Sequence, residues 1–218
     1  MLLSPAAERS QDSLLSVLWE ILEDQSHREL FGLELGSGTG QHVVHFAQEM
    51  PFVTWQPSDI KEESRNSIRA YIGATKAKTV LEPVHLDASE PWEKWAGLPR
   101  SSCDIIIAIN LLQYSPFSTA EGVFKGSGQI LKQNGLLMTY GVNRDAGEQQ
   151  KPHLQKTVRN PFIQRTWIHF PGPSKQPSAI HLLLVSHFKH TNGTDLHCFI
   201  VHILSETRKE TFPLMHDQ

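Results

Sequence analysis

The run Ile105-Ile106-Ile107-Ala108-Ile109 constrains the fold of this chain more than any other stretch. It is apolar at every position, so a strand built from it needs cover on both faces. Such a strand belongs in the middle of a parallel sheet with helices packed above and below. The neighbouring sequence supplies the other parts. Phe31-Gly32-Leu33-Glu34-Leu35 reads as a first strand, and Phe52-Val53-Thr54-Trp55 as a second one stopped by Pro57. Leu81 to Leu86 reads as a weaker third strand, and Leu136 to Tyr140 as a fifth after Asn134-Gly135. Helical spacing fills the gaps: Val43, Val44, Phe46 and Ala47 before Pro51, and Ile68, Tyr71 and Ile72 within residues 61–75. Ser118 to Glu121 forms a capping box that opens a helix through Leu131. A leading helix carries Leu14, Val17, Leu18, Ile21 and Leu22, with Ser10 or Asp12 as its cap. Strands alternating with crossover helices predict a doubly wound, mostly parallel α/β sheet. Ligands of such sheets sit at the carboxyl ends of the strands.

After Gly141 the character changes. Residues 143–180 are rich in Gln, Lys, Pro and Ser without a period, punctuated by Pro152, Pro161, Pro171, Pro173 and Pro177. Leu182-Leu183-Leu184-Val185 and Cys198-Phe199-Ile200-Val201 then flank Thr191-Asn192-Gly193-Thr194. That arrangement predicts a terminal antiparallel hairpin over 181–204 turning on Asn-Gly. The chain thus divides into an α/β core, 1–141, and a divergent C-terminal region, 142–218.

The chemistry concentrates in Glu34-Leu35-Gly36-Ser37-Gly38-Thr39-Gly40. Glycines at alternate positions after a strand let the backbone turn tightly and approach a ligand closely. A dinucleotide site prefers G-x-G-x-x-G, but here the sixth position is Gln41 and the third glycine comes one residue early. The acid two residues before Gly36 would repel a phosphate. It suits a ligand carrying an ammonium and a sulfonium, which is S-adenosylmethionine. Asp59 follows the second strand, where a carboxylate can accept both hydroxyls of a ribose; the alternative is an Asp capping the next helix. Asp87 ends the third strand, either within reach of an adenine amino group or as a turn residue before Ser89-Glu90-Pro91. Asn110 ends the central strand, and with Gln113 it marks the side where a methyl acceptor would stand. Asn110-Leu111-Leu112-Gln113 lacks the prolines of the Asn-Pro-Pro-Tyr string used by many base-methylating enzymes.

Other side chains bring no further machinery. No Ser-His-Asp or Cys-His spacing stands out, and a good leaving group leaves mainly positioning to the protein. Catalytic residues stay unassigned. His42 and His45 read as ordinary helix residues. His181, His187, His190, His197 and His202 match no zinc spacing and would scatter over both faces of a hairpin, so no metal is expected. Cys103 and Cys198 make no disulfide framework.

The 218 residues fit one domain. A 39% hydrophobic and 20% charged composition supports a packed core and excludes wholesale disorder. A net charge of -3 gives no basic footprint, so nucleic acid is not the expected partner. No apolar run approaches the ~20 residues that span a bilayer. Ser4, Pro5, Glu8 and Arg9 interrupt any basic-then-apolar leader. Asn192-Gly193-Thr194 then reads as a turn, not a glycosylation site. A soluble protein of the cytoplasm, with the nucleus as a second compartment, is expected.

Taken together, the motifs resemble the methyltransferase-like 26 family, also described as a domain of unknown function. The resemblance rests on Ala6-Ala7-Glu8-Arg9, Leu33 through Gly40 with Gln41-His42, Trp55-Gln56-Pro57-Ser58-Asp59 and His85-Leu86-Asp87. It continues in Ile109-Asn110, Ser115-Pro116, Glu121-Gly122 and Leu137-Met138-Thr139-Tyr140-Gly141. It covers residues 1–141. The resemblance implies a class I, Rossmann-like methyltransferase fold and a donor site at Glu34, Gly36, Gly38, Gly40, Asp59 and Asp87. It names no substrate. Ser10 stands where relatives tend to have Asn, and Gln113 where they tend to have His. Arg159-Asn160-Pro161 is a last echo, and 162–218 read as a replaced tail, as from an alternative transcript. A donor-dependent methyltransferase on a small molecule or protein side chain is expected. A cofactor-binding module with an impaired acceptor site is the second reading, and a nucleotide-dependent oxidoreductase the third.

Overall fold

The structure is a computed structural model that describes residues 1–142 and the strand segments 155–156, 166–167, 181–188 and 196–204. A leading helix α1, Pro5–Leu22, precedes strand β1, Leu30–Leu35. Then come α2, Gln41–Glu49, β2, Val53–Ser58, and α3, Glu62–Thr75. Strand β3 is Cys103–Ile109, followed by α4, Phe117–Ile130, and β4, Leu131–Val142. Two short strands, β5, Gln155–Lys156, and β6, Thr166–Trp167, pair with each other. Strands β7, His181–Phe188, and β8, Leu196–Leu204, close the main sheet. Its order is β2-β1-β3-β4-β8-β7, with the first four strands parallel and the last two antiparallel. The fold is the expected doubly wound α/β sheet with a terminal antiparallel pair.

Strand β3 explains the two-layer cover. All seven of its residues are buried. Ile105, Ile107 and Ile109 pack into one cluster with Leu14, Leu18 and Leu22 of α1 and Val43, Phe46 and Ala47 of α2. Ile106 and Ala108 point into the opposite cluster, with Val123 and Ile130 of α4 and Trp95. Each fully buried aliphatic side chain contributes roughly 1.5–3 kcal/mol. Helix α4 comes in very close: a Cβ on Gly122 would lie 1.9 Å from the Ala88 carbonyl oxygen, and one on Gly126 would meet the Trp95 ring.

Four local expectations need correction. The cap of α1 is Ser4, not Ser10 or Asp12. Its Oγ accepts from the Ala7 N–H and Pro5 starts the helix, a position whose missing N–H would be unsatisfied anyway. Strand β2 runs through Pro57 to Ser58. The Pro57 carbonyl, and hence the side lacking an N–H, faces the outer edge, where the next segment makes only isolated bridges at Val80 and Val84. No continuous ladder is interrupted there, and Gln56 Nε2 donates to both the Glu82 and Pro57 carbonyls. The third strand, Leu81–Leu86, is therefore only the Val84 bridge, with the Val80 bridge just before it, since Pro83 has no N–H to donate. The Ser118–Glu121 capping box does not form. The cap residue of α4 is Pro116, whose carbonyl accepts from the Thr119 N–H.

At its start β4 carries an irregularity. Cys103 pairs with Leu131, but Ile105 already pairs with Leu136, and Asn134 takes the left-handed φ of 65°. In the terminal pair His181 lies opposite Leu204, Leu183 opposite His202, His187 opposite Cys198 and Phe188 opposite His197. His190 and the Asn192-Gly193 turn lie outside the described residues.

One charged group ties the amino ends of the strands. Asp104 is buried, and its Oδ2 accepts from the Phe31 N–H at 2.9 Å and from Lys132 Nζ at 2.7 Å, while Oδ1 faces Arg28 Nη2 at 3.2 Å. Arg28 and Lys132 are nearly half exposed and can rehydrate, so the Phe31 N–H carries most of the cost of removing the acid. Asp104→Ala is expected to lower stability by about 1–3 kcal/mol, read as a lower urea midpoint with unchanged m-value.

Candidate functional site

The carboxyl ends of β1, β2 and β3 converge on the glycine turn, and a short chain of hydrogen bonds shapes it. The Ser37 N–H donates to the Ser58 carbonyl at 2.8 Å, and the Ser58 N–H returns to Ser37 Oγ at 3.1 Å. Ser58 Oγ donates to the Glu34 carbonyl at 2.7 Å. The Gly38 N–H donates to Asp59 Oδ2 at 3.0 Å. Ser37 and Ser58 were not singled out in the sequence. Their signal is weak: two small hydroxyl residues at strand ends that must pair.

The three glycines do different work. All have positive φ, 66° at Gly36, 55° at Gly38 and 91° at Gly40. A Cβ on Gly36 would come within 2.9 Å of Leu111 Cδ1, and one on Gly40 within 3.0 Å of the Ile68 backbone. Those two let the protein close on itself. Among the described residues nothing lies within 4 Å of where a Gly38 Cβ would stand. The turn is open above Gly38, which is where a ligand can touch the backbone.

Glu34 lies beneath the turn at 1% exposure, and its Oε2 has no hydrogen-bond partner among the described residues. Burial pushes its carboxyl up to about 8, against a pull from the Ser37 hydrogen bond and with a small push from the Asp59 charge. A buried acid with an unmatched oxygen is costly unless something binds it. The group that suits it is a cation.

Asp59 is not the cap of α3, whose N-cap is Lys61; its carboxylate bridges the entry to that helix and the glycine turn. Oδ1 accepts from the Lys61 N–H at 2.8 Å, ordering the entry to α3, while Oδ2 holds Gly38. Each oxygen retains a second acceptor direction. Asp87 sits three residues past the Ser58–Val84 bridge, at the same end of the sheet. Its Oδ1 accepts from Ser89 N–H and Ser89 Oγ, which hold its carboxyl below the ordinary range. The turn role is therefore present.

At the carboxyl end of β3, Asn110 takes the left-handed φ of 54° and donates its N–H to the Tyr140 carbonyl at 2.7 Å. Asn tolerates that conformation better than most residues. Gln113 Nε2 donates to Asn110 Oδ1 at 3.3 Å, and Gln113 Oε1 lies 2.2 Å from where a Gly141 Cβ would stand. The two substrate-side candidates thus touch, with Gln113 lying across the end of β4. Tyr114 and Phe117 nearby in the chain are exposed. His42 is elsewhere: its Nε2 meets Ser10 Oγ at 2.9 Å between α2 and α1. Burial, and then the His45 charge, push it down to about 4, so it is a neutral packing residue. The Ser10 departure therefore falls on a helix contact.

The Glu34 carboxyl makes stability depend on pH in a set direction. The unfolded chain releases this proton near 4.5, while the folded protein holds it to about 8. Its stabilising contribution is full below 4.5 and is lost as pH rises through 8, by at most about 1.4 kcal/mol per pH unit. Wild type should lose thermal stability from pH 5 to 8 more steeply than Glu34→Gln, and the variant should be the more stable at pH 8. Parallel melting curves across that range would contradict the assignment.

Solved structures share this architecture at low sequence identity. A Pyrococcus horikoshii protein, PH0226, aligns with a TM-score of 0.60 and 14% identity over 92% of each chain. TrmN of Thermus thermophilus gives 0.54 and 16%, covering 88% of this chain and 48% of its own. A candidate sarcosine dimethylglycine methyltransferase of Galdieria sulphuraria gives 0.53 and 19%, covering 65% and 50%. This chain spans about half the length of the last two. These likenesses establish the Rossmann-like sheet. The family described as "Protein of unknown function (DUF938)" matches residues 1–155, well over half of the 218, and the chain belongs to that family.

Proposed function

We propose that this protein is an S-adenosylmethionine-dependent methyltransferase acting on a small molecule or a protein side chain. The observation that carries the reading is Glu34 Oε2, buried and unmatched below a turn that is open at Gly38. When bound, the donor supplies an electrophilic methyl group on a sulfonium. The residues here fit that group. Glu34 offers a carboxylate to the positive end of its methionine part. Gly38 admits it against the backbone, and the free acceptor directions of Asp59 suit ribose hydroxyls. Asp87 lies on the adenine side, held by its turn. Asn110 and Gln113 orient the acceptor by neutral hydrogen bonds, so the nucleophile arrives uncharged or already deprotonated.

A second reading is a donor-binding module without turnover. The contact of Gln113 with Asn110 and its position over Gly141 favour it, because they fill part of the acceptor side.

Within the family, the strings Gly40-Gln41-His42 and Trp55-Gln56-Pro57-Ser58-Asp59 support the methyltransferase-like 26 branch. The proposed boundaries are a core of 1–141 and a divergent region of 142–218. The part from 162 onward is proposed as a replaced tail, which translated intronic sequence of the locus would test. The cytoplasm and nucleus are the proposed compartments, to be read by fractionation. Among the described residues no helix is long and apolar enough to cross a membrane.

Calorimetric titration with the donor tests the reading. Wild type should bind, and Asp59→Ala should bind at least about tenfold more weakly, since the ribose contact and the loop latch are lost together. Gly38→Val should lose binding and some stability, because its side chain enters the open space while a φ of 55° strains a branched residue; circular dichroism checks that the variant is folded. Unchanged affinity in both variants would remove the site. Binding without methyl transfer to any component of a cell extract would select the module over the enzyme.

A further inference from the structure

The segment before α1 is tied to the donor turn through two side chains. The Leu2 N–H donates to Ser67 Oγ at 2.7 Å, and Ser67 Oγ donates onward to the Thr39 carbonyl at 2.9 Å. The Ser4 N–H donates to Gln41 Oε1 at 2.6 Å, and Thr39 Oγ1 donates to that same oxygen at 3.0 Å. Tyr71 Oη adds a bond to the Leu2 carbonyl at 3.0 Å. Thr39, between the open Gly38 and the tight Gly40, is thus gripped at its carbonyl and at its hydroxyl. Both gripping groups also hold the N-terminal segment.

We propose that residues Leu2–Ser4 form a strap on the donor turn, with Gln41 and Ser67 as its positioning residues. This rests on the donor reading of that turn and adds a control element to it. Ser67 Oγ accepts from Leu2 while donating to Thr39, so those two bonds strengthen each other. Gln41 Oε1 holds the Ser4 N–H and the Thr39 hydroxyl at one point, so losing either side chain frees the strap and Thr39 together. Ser4 also caps α1, so docking the strap and forming the first turn of that helix are one event. Seating the strap orders Thr39 and hence the Gly38 backbone that would face the ligand. A ligand on the turn in turn holds the strap down, as reciprocal coupling requires. Gln41 acts only as an acceptor in both bonds, so a carboxylate can replace it.

The test compares full-length wild type, Gln41→Met, Gln41→Glu and Ser67→Ala. Amide exchange without ligand reads the coupling itself. In Gln41→Met and Ser67→Ala the amides of Leu2, Ser4 and Gly38 should exchange faster together, with β3 unchanged, and Gln41→Glu should restore protection. Titration with S-adenosylmethionine should then give about tenfold weaker binding in Gln41→Met and Ser67→Ala and near wild-type binding in Gln41→Glu. Added donor should slow exchange at Leu2 and Ser4 in wild type. Faster exchange confined to the substituted residue, or full affinity in Gln41→Met, would overturn the strap while leaving the donor reading intact. A wild type that binds no donor would overturn the donor reading, and the ligand-free exchange would still decide the coupling.

Discussion

A buried carboxyl group with one oxygen unmatched among the described residues is the constraint around which this structure is organised. Glu34 extends β1 to the floor of the glycine turn, shut off from water and flanked by Ile107 of the central strand. Its burial costs free energy, and among the described residues no ion pair offsets it. The surrounding hydrogen bonds instead spend themselves on the backbone. Ser58 takes the Glu34 carbonyl, Ser37 exchanges two bonds with Ser58, and Asp59 fixes Gly38. The turn is thereby rigid while its acid stays unmatched. That combination is preorganisation for a positive ligand.

The rest of the architecture keeps this arrangement in place. Strand β3 needs cover on both faces, and the helices that give it also deliver the site. Helix α3 presses Ile68 against Gly40, Leu111 closes on Gly36, and α4 pins the segment after Asp87 through Gly122. At the opposite end of the sheet Asp104 anchors β1, β3 and β4 by their starts. The Asp104 anchor and the glycine turn therefore occupy opposite ends of the same strands, with the turn at the end where open α/β sheets place their ligand sites.

Much of this was readable from the residues, for local reasons. Strand β1, the turn and α2 are contiguous, so apolar alternation, glycine spacing and helical period report them directly. The central strand announced itself by being apolar throughout. What could not be read depends on partners distant in sequence. Nothing near Gly36, Gly38 or Gly40 says which of them faces Leu111, open space or Ile68. For Asp59 the sequence offered a ribose acceptor or a helix cap, and its bond to the Gly38 N–H, 21 residues away, could not be read. For Asp87 it offered an adenine contact or a turn, and the turn bonds to Ser89 are present. The third strand failed because Pro83 interrupts it and Gln56 compensates from the side. The Ser4 cap was hidden by the apolar Met1-Leu2-Leu3 before it, although Pro5 was the correct clue.

The central claim is that Glu34 holds a proton when no ligand is bound and loses it when a cationic ligand binds. Calorimetry near pH 7 in two buffers of different ionisation enthalpy counts that proton. Because the carboxyl titrates at about 8 when unliganded, donor binding should release close to one proton per molecule bound by linkage, and none in Glu34→Gln. Donor binding with no difference between the buffers, or a preference for NAD over the donor, would contradict the account.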